Sequence, residues 1–316
     1  MSDYYECHHD HWRPTAYRRA IAALRKQDSK VTSAQEAINI PFIGRRLADK
    51  IEEIVWTNRL KRLDNTTSEP NDKVLQLFLK IYGVGFAQAT KWIDQGHRSV
   101  EDLVTKAQLT KSQKIGIEHF DDFQTRIPRG EMDLHDSYVR ETCSKIDPSI
   151  QFTIGGSYRR GAADSGDVDF IVTKPDCAIE LLRTIMLETI IPLLFKKGYL
   201  KVGLATTGKV DGSKWHGAAA LPGSTIWRRI DFLLVPWDEI GAALIYFTGN
   251  DIFNRSIRLL ASKKEMRLNQ RGLWKDVIRG EKRKRITQGS LVEGKDEKKI
   301  FELLGVPWRP PQHRIC

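Results

Sequence analysis

The chain of 316 residues is 41% hydrophobic and 29% charged, a balance ordinary for a soluble globular protein of more than one domain. No apolar run approaches the roughly 20 residues of a membrane span, and the opening residues MSDYYECHHDHW do not resemble a signal peptide. The four cysteines lie far apart without a C-x-x-C pair, so neither a disulfide framework nor a four-thiolate zinc site is indicated. We therefore expect a soluble protein that is not secreted.

The net charge of +11 is concentrated in two segments. Residues 10–63 contain twelve Lys or Arg against six Asp or Glu, and residues 255–285 contain twelve against three. Two separate basic segments indicate a long polyanion that contacts both, and nucleic acid is the natural candidate. The histidines near Cys7, at 8, 9 and 11, could recruit a metal, but such a run beside a terminus is more often solvated.

Residues 12–127 have apolar positions at helical spacing and no credible strand. The clearest predicted helices are 15–26 and 44–56, and the polar segment LDNTTSEPND at 63–72 is a candidate domain boundary. The first half of the chain is therefore predicted to be helical.

A short pattern, hydrophobic-x-Gly before a helix, occurs twice in this helical half. It reads IPFIGRRLADKI at 40–51 and IYGVGFAQATKWI at 81–93. Amides exposed at such a helix start can bind a backbone phosphate without base preference. Two copies beside basic helices indicate helix-hairpin-helix motifs that bind DNA.

From Gln151 onward the pattern changes to strands, with one long helix predicted between them at 177–198. The predicted strands are QFTIGG, DVDFIVT, YLKVGLAT, GAAALPG and RRIDFLLV. A third region begins near Glu239 with two helices and continues as a Gly-rich basic tail. The predicted fold is multidomain α+β: helical first, then a mixed sheet, then a small mixed region.

The segment GGSYRRGAADSGDVDFIVT at 155–173 carries the most specific chemistry. Asp167 and Asp169 are two positions apart at the start of a predicted strand, so both carboxylates point to one face and can hold divalent cations. Glycine and serine before them allow close backbone approach, and Arg159 and Arg160 supply cations for phosphate. Together these features predict a phosphoryl-transfer site.

Asp231 lies in the second segment of this kind, IWRRIDFLLVPW at 226–237. Three aspartates on adjacent strands can bridge two Mg²⁺ ions about 4 Å apart. The alternative is a surface acid paired with Arg228 or Arg229.

These motifs resemble those of the family X DNA polymerases, in order and spacing over nearly the whole chain. The blocks that carry the resemblance are GGSYRRGAADSGDVDF, RRIDFLLVP and YFTGNDIFNRSIR at 246–258. It implies helical helix-hairpin-helix domains, a nucleotidyltransferase-type palm sheet and a small C-terminal α+β domain. The implied domains are 1–66 (lyase-like), 67–127 (DNA-binding), 128–237 (palm) and 238–316 (nucleotide- and template-contacting).

The resemblance also implies a role for each matching residue. Asp167, Asp169 and Asp231 would be the metal ligands, and Asp231 would also orient or deprotonate the primer 3′-hydroxyl. The incoming nucleotide would be contacted by Arg126, Ser157, Arg160, Gly166, Tyr246, Phe247, Gly249, Asp251 and Asn254. DNA would be contacted by Trp12, Arg13, Tyr17, Arg46, Gly83, Gly85, Arg229, Arg255 and Arg258.

Part of this assignment has independent support in the residues. Asn254 and Arg258 are four apart on a predicted helix and share one face, from which Asn can donate to minor-groove acceptors common to every base pair. For Tyr246 and Phe247 the alternative is a core role, because aromatics at the end of an apolar helix are usually buried.

Lys50 falls at the position of the Schiff-base lysine of the family's 5′-deoxyribose-phosphate lyase domain. That chemistry requires a neutral amine, and Arg46 one turn earlier is a cation expected to lower the lysine pKa. The alternative is one more solvated lysine. This chain departs from the family's Gly-hydrophobic-Gly hairpin, since Phe42 occupies the first glycine position and puts close phosphate approach there in doubt.

The expected function is a template-directed DNA polymerase for short gaps in base excision repair or end joining, with a 5′-deoxyribose-phosphate lyase activity. Alternatives are a template-independent nucleotidyltransferase, a polymerase with an inactive lyase domain, and a DNA-end-binding module without catalysis. The resemblance implies two Mg²⁺ ions, replaceable by Mn²⁺, and admits a monovalent cation at the hairpins. Expected partners are gapped or primer-template DNA, deoxynucleoside triphosphates, and a ligase or end-joining factors. We expect a nuclear monomer without membrane contact, which could be the core of a longer protein.

Overall fold

The computed structural model describes Tyr5 and residues 12–63, 70–206, 213–278 and 286–314. The histidine run at 8–11 and the basic run at 282–285 lie outside these residues, as do 64–69 of the predicted linker. The chain divides into two compact units, Met1–Glu118 and His119–Cys316. Each unit is described separately below.

The first unit is helical, as the sequence predicts. Its helices begin at small or polar residues such as Ser33 and Ser99, whose hydroxyls accept from the amide three residues on. A small core of Ala20, Ala37 and Ala48 joins the first three helices. The helices are α1 (Arg13–Leu24), α2 (Ala34–Ile38), α3 (Arg45–Thr57), α4 (Pro70–Leu79), α5 (Phe86–Asp94), α6 (Val100–Lys106) and α7 (Lys111–Glu118).

The second unit contains a five-stranded sheet in the order β2-β4-β7-β6-β5. The two central strands, β4 and β7, run parallel, and the other pairs in the sheet are antiparallel. Its strands are β2 (Gln151–Ile154), β4 (Val168–Thr173), β5 (Leu200–Thr206), β6 (Lys214–Ala219) and β7 (Arg228–Leu234). A separate pair joins β1 (Ile127–Pro128) to β3 (Asp164–Ser165), so the helical region gives way to a strand at Ile127.

The helices of this part cover the sheet and bury its apolar residues. Phe170 and Phe232, from the two central strands, stack with ring centroids 5.6 Å apart and are fully buried. The helices are α8 (Phe120–Gln124), α9 (Arg129–Ser144), α10 (Gly156–Arg159), α11 (Ile179–Thr184) and α12 (Ile191–Lys196).

The helix predicted at 177–198 contains a change of winding. Between α11 and α12, residues Ile185–Ile190 form a π-helix. Pro192 follows at the start of α12. Proline lacks an N–H and its ring crowds the carbonyl four residues earlier, which accounts for the wider turn before it.

The C-terminal region folds as the small α+β domain that the resemblance implies, although the hydrophobic pattern alone indicated only two helices and a basic tail. It contains α13 (Ile240–Thr248), α14 (Asp251–Lys263), β8 (Arg267–Asn269), β9 (Gly272–Lys275), β10 (Ser290–Glu293) and α15 (Glu297–Leu303). The strands pair in the order β10-β9-β8. A second core forms around Phe253, Leu273 and Phe301. The predicted α+β class is confirmed. In the described ranges, no helix is long and apolar enough to cross a membrane.

Candidate active site

A glycine pair, Gly155 and Gly156, shapes the turn between β2 and α10. The amide of Gly155 donates to the carbonyl of Asp169 at 2.9 Å. A β-carbon at Gly155 would lie 3.1 Å from the carbonyl oxygen of Phe247. Gly156 has a φ of +56°, and a β-carbon there would lie 3.4 Å from Oδ2 of Asp169. Glycine therefore lets the backbone turn directly beside the carboxylate.

The sheet register brings the predicted aspartates together. Asp169 on β4 is the direct partner of Asp231 on β7 in the parallel pair. Asp167 immediately precedes β4, which begins at Val168. The structure therefore places the three carboxylates together on the adjacent interior strands β4 and β7.

Two of the aspartates have basic partners. Nη2 of Arg229 lies 2.9 Å from Oδ2 of Asp167. Nδ1 of His216, directly across from Asp231 in the β6–β7 register, lies 2.8 Å from Oδ1 of Asp231. The alternative reading of Asp231 as a partner of Arg228 or Arg229 does not describe this arrangement, because Arg228 is buried against Glu131 at 2.7 Å.

Burial and mutual repulsion perturb the titration of this cluster. Burial, together with the charges of Asp167 and Asp231, raises the pKa of Asp169 to about 7. Burial also raises the pKa of Asp167, although Arg229 opposes the change. The hydrogen bond to Asp231 raises the pKa of His216. Anionic charge at this point is therefore costly unless cations neutralise it.

Within the described ranges, no three His, Cys, Asp or Glu side chains already converge in a geometry that could hold a metal ion. The chemistry of the donor set nevertheless fits hard divalent cations, which prefer carboxylate oxygens. Three carboxylates crowded enough to raise the pKa of Asp169 to about 7 form a site that such a cation would stabilise.

The residues predicted to hold a triphosphate lie on, or contact, the segment leading to Asp167. Nε and Nη2 of Arg126 donate to Oδ1 of Asp164 at 2.9 and 2.7 Å. A β-carbon at Gly166 would lie 3.2 Å from Nη1 of the same Arg126. The hydroxyl of Ser157 lies 3.0 Å from that of Ser165. Arg126, Ser157 and Gly166 therefore border one short stretch of chain.

The two adjacent arginines differ in what they contact. Arg160 donates to the carbonyl of Thr248, beside Gly249. Arg159 instead forms a paired ion contact with Glu297, at 3.1 and 2.9 Å, and donates to the hydroxyl of Thr248 at 2.6 Å. The interpretation of Arg159 as a phosphate-binding cation is therefore corrected: its charge is neutralised by an acid 138 residues away in sequence.

The predicted base- and groove-contacting residues meet at Tyr246. Nδ2 of Asn254 donates to the carbonyl of Tyr246 at 2.7 Å, and the guanidinium of Arg258 lies 4.8 Å from its ring centroid. Phe247 packs half-buried against Ile171 and Leu233, so the core alternative describes one of the two aromatics.

Three further predicted contacts lie around this cluster. Gly249 has a φ of +66°, which favours glycine. Asp251 and Arg255 form an exposed ion pair on α14, with 3.7 Å between Oδ2 and Nη2.

In the first unit, Lys50 and Tyr17 line the same cavity of about 480 Å³, together with Leu24, Leu47 and Ile54. Nζ of Lys50 donates to the carbonyl of Arg46 at 3.0 Å.

The other predicted residues of this pocket lie along α1 and just before it. Trp12 is 85% exposed. The Arg13 guanidinium lies 4.8 Å from the ring centroid of Tyr5, which itself stacks on Tyr17. The structure therefore groups Arg13 with Tyr17.

Both predicted hairpins have the expected turn. Gly83 has a φ of +77°, and Gly85 precedes α5 in an extended conformation. In the first hairpin Phe42 takes the place of Gly83, with a φ of +69°, and Gly44 precedes α3.

His216 is the site residue that the sequence analysis missed. Its segment, KWHGAA, has no motif of its own, and its place beside Asp231 follows from the pairing of β6 with β7. Predicting that pairing from alternating hydrophobicity around Trp215 would have been the available signal.

Four family models match the chain in succession. They describe a helix-hairpin-helix domain (residues 1–60), the fingers domain of DNA polymerase lambda (76–124), the DNA polymerase beta palm (126–237) and the DNA polymerase beta thumb (243–315). The palm model contains all three aspartates.

Curated relatives align over almost the whole chain. DNA polymerase lambda of Rattus norvegicus is 37% identical over 98% of this chain and 54% of its own length. DNA polymerase lambda of Arabidopsis thaliana is 33% identical over 96% and 58%. DNA polymerase IV of Saccharomyces cerevisiae is 25% identical over 98% and 64%. The chain thus spans between half and two thirds of these relatives, and it belongs to the family X DNA polymerases.

Proposed function

We propose that this protein is a template-directed DNA polymerase that fills short gaps by adding deoxynucleotides to a primer 3′-hydroxyl with release of pyrophosphate. The observation that carries the proposal is the direct pairing of Asp169 with Asp231 on the two central parallel strands, with Asp167 at the same end. This is the carboxylate arrangement that two-metal phosphoryl transfer requires.

Asp167, Asp169 and Asp231 would hold the two Mg²⁺ ions. When bound, these ions would neutralise the triphosphate and activate the hydroxyl nucleophile. The chain's own part is to hold the aspartates rigidly: β4 and β7 fix Asp169 and Asp231, and Arg229 orients Asp167 through a 2.9 Å contact. Asp231 is the residue we assign to orienting the primer hydroxyl and accepting its proton.

The nucleotide would lie along the segment that ends at Asp167. Arg126, Ser157, Arg160 and the backbone at Gly166 would bind its phosphates. Tyr246 and Phe247 would contact sugar and base, with Gly249 and Asp251 beside them. Asn254 and Arg258 would monitor the minor groove, and Arg229 and Arg255 would contact DNA.

We further propose a 5′-deoxyribose-phosphate lyase activity in the first unit. Lys50 and Tyr17 share one cavity, which supports a site where an amine could meet a sugar phosphate. Arg13, Arg46 and Trp12 would contact the 5′ end of the gap.

Each of four segments would have its own function. They are the lyase-like segment (1–66), the DNA-binding segment (67–127), the palm (128–237) and the segment that contacts nucleotide and template (238–316). The setting would be base excision repair or end joining in the nucleus, with a ligase or end-joining factors as candidate partners.

Primer extension tests the proposal. We expect Mg²⁺-dependent addition of the templated nucleotide on a one-nucleotide gap with a 5′-phosphate, and weaker addition when that phosphate is absent. Addition of nucleotides to a single strand without a template, at a rate equal to gap filling, would favour the template-independent alternative. DNA binding without any addition would contradict the polymerase assignment.

A further inference from the structure

The backbone of the first hairpin is the same as that of the second, although their residues differ. Phe42 and Gly83 have φ angles of +69° and +77°. The amide that follows each of them donates in the same way: the Ile43 N–H to the carbonyl of Ile40 and the Val84 N–H to the carbonyl of Ile81, both at 3.1 Å. The bulky residue therefore sits in a turn that a glycine would form more easily.

Phe42 carries a conformational cost that its packing does not explain. A residue with a β-carbon in the left-handed region is destabilised by about 1–2 kcal/mol, whereas glycine adopts that region readily. The Phe42 ring is 66% exposed, so it adds little to the core formed by Ile40, Ile43 and Ala48. An exposed ring in a strained conformation suggests a role outside folding.

The surroundings of the ring favour a nucleic-acid partner. The guanidinium of Arg19, from α1, lies 5.9 Å from the Phe42 ring centroid. Arg45 and Arg46 begin the next helix and are exposed. Surfaces that bind unpaired nucleotides combine cations for the backbone with an aromatic ring on which a base can stack.

We propose that Phe42 is a stacking residue for an unpaired base at a DNA gap or single-stranded end, with Arg19 supporting the ring. A base inside an intact duplex has both faces covered by its neighbours, so the ring requires a break in the stack. The inference rests on the proposed function, since it assigns a contact to the DNA-binding region of that enzyme. It also explains why Phe42 stands in place of the first glycine of the hairpin: its ring would contact a DNA base instead of merely hindering the approach of a phosphate.

Three variants separate the ring from the backbone. Phe42→Gly removes the ring and the strain, Phe42→Ala removes the ring but keeps the β-carbon, and Phe42→Trp keeps an aromatic face. Binding is measured by titration of a gapped duplex with 2-aminopurine at the unpaired template position, and of an intact duplex of the same length.

We expect Phe42→Gly and Phe42→Ala to bind the gapped duplex about 5- to 100-fold more weakly than wild type, with loss of 2-aminopurine quenching. Phe42→Trp should retain both, and the intact duplex should bind all four proteins equally. Phe42→Gly should also melt at a higher temperature, so its weaker binding could not be a folding defect.

The opposite result is equally clear. If Phe42→Gly bound the gapped duplex as tightly as wild type, or more tightly, the ring would be an obstacle to the phosphate and the inference would be wrong. Wild-type primer extension in the same preparation keeps the two proposals apart. Ring-dependent gap binding without extension would leave this inference standing and remove the polymerase assignment.

Discussion

His216 and Asp231 face each other across the β6–β7 pair, with Nδ1 of the imidazole 2.8 Å from Oδ1 of the carboxylate. Arg229, two residues before Asp231 on β7, makes a similar contact with Asp167. The anionic cluster is therefore held in shape by basic side chains from the sheet itself. Asp169 lacks such a contact among the described ion pairs, and burial together with the charges of Asp167 and Asp231 raises its pKa to about 7.

The first prediction concerns Asp231→Asn. An amide can accept from or donate to His216, so the fold and DNA affinity should survive, but the anionic charge of the proposed metal ligand is lost. We expect the rate of nucleotide addition with Mg²⁺ to fall by more than the ~10- to 100-fold that is typical when a residue hydrogen-bonded to a metal ligand is replaced. Gap-filling rates and gel-shift affinities measure this. Asp121→Asn, the same change on exposed α8, is the control and should behave as wild type. Near wild-type addition by Asp231→Asn would remove this residue from the site.

The second prediction concerns the lyase assignment. Borohydride should trap a covalent adduct between the wild-type protein and an abasic 5′-sugar phosphate, because a neutral lysine amine forms an imine with the aldehyde. Lys50→Ala should lose the adduct and keep gap filling. Lys61→Ala, an exposed lysine of the same unit, should keep both. An undiminished adduct in Lys50→Ala would move the nucleophile elsewhere, and no adduct in the wild type would favour an inactive lyase domain.

The third prediction concerns pH. Burial lowers the pKa of His135 from 6.5 to about 4, and its Nδ1 lies 2.8 Å from the Tyr199 hydroxyl. Between pH 4 and pH 6.5 the unfolded chain binds more protons than the folded one. The contribution of neutral His135 to the free energy of unfolding should therefore be fully present above pH 6.5 and fall as the pH drops toward 4. The loss would approach about 3 kcal/mol.

Urea unfolding of the second unit at a series of pH values measures this loss. His135→Gln removes the titrating group. Its free energy of unfolding should therefore differ less between pH 7 and pH 4.5 than that of wild type, even though the variant is less stable at pH 7. A variant with the same acid dependence as wild type would exclude His135 as its source.

The fourth prediction concerns the ion cluster around Glu297. Burial opposes its ionisation, but contacts from Arg159 and Arg314 hold the pKa of Glu297 below its usual value. Arg314 is fully buried, with Nη1 2.8 Å from Oε1 of Glu297. Glu297→Ala would leave the buried Arg314 and the partly buried Arg159 without their shared carboxylate, and should lower the free energy of unfolding by about 3 kcal/mol.

Glu302→Ala is the matched control for that change, because Glu302 is an exposed acid on the same helix, α15. It should change the free energy of unfolding by less than about 0.5 kcal/mol. Equal effects of the two substitutions would indicate that the ion cluster contributes little to stability.

The sequence predicted the strands and the three aspartates because those features are local. Short apolar runs located β4 and β7, and the spacing of Asp167 and Asp169 belongs to one segment. What it could not predict depends on contacts distant in the chain. The partner of Arg159 lies 138 residues away, and His216 reaches Asp231 through strand pairing. The hydrophobic pattern alone did not locate the short C-terminal strands, because residues near 270 and 290 are rich in charge and glycine.

Successive side chains in the first half of strand β7 point alternately into the protein interior and toward the candidate site. Arg228 and Ile230 point into the interior, where Arg228 meets Glu131, while Arg229 and Asp231 point toward the carboxylate cluster. A one-residue insertion or deletion in this strand would exchange the two sets. Arg229 and Asp231 would then face the interior, and Arg228 and Ile230 would face the carboxylate cluster. Over evolution, β7 should therefore accumulate replacements at single positions far more readily than changes in its length.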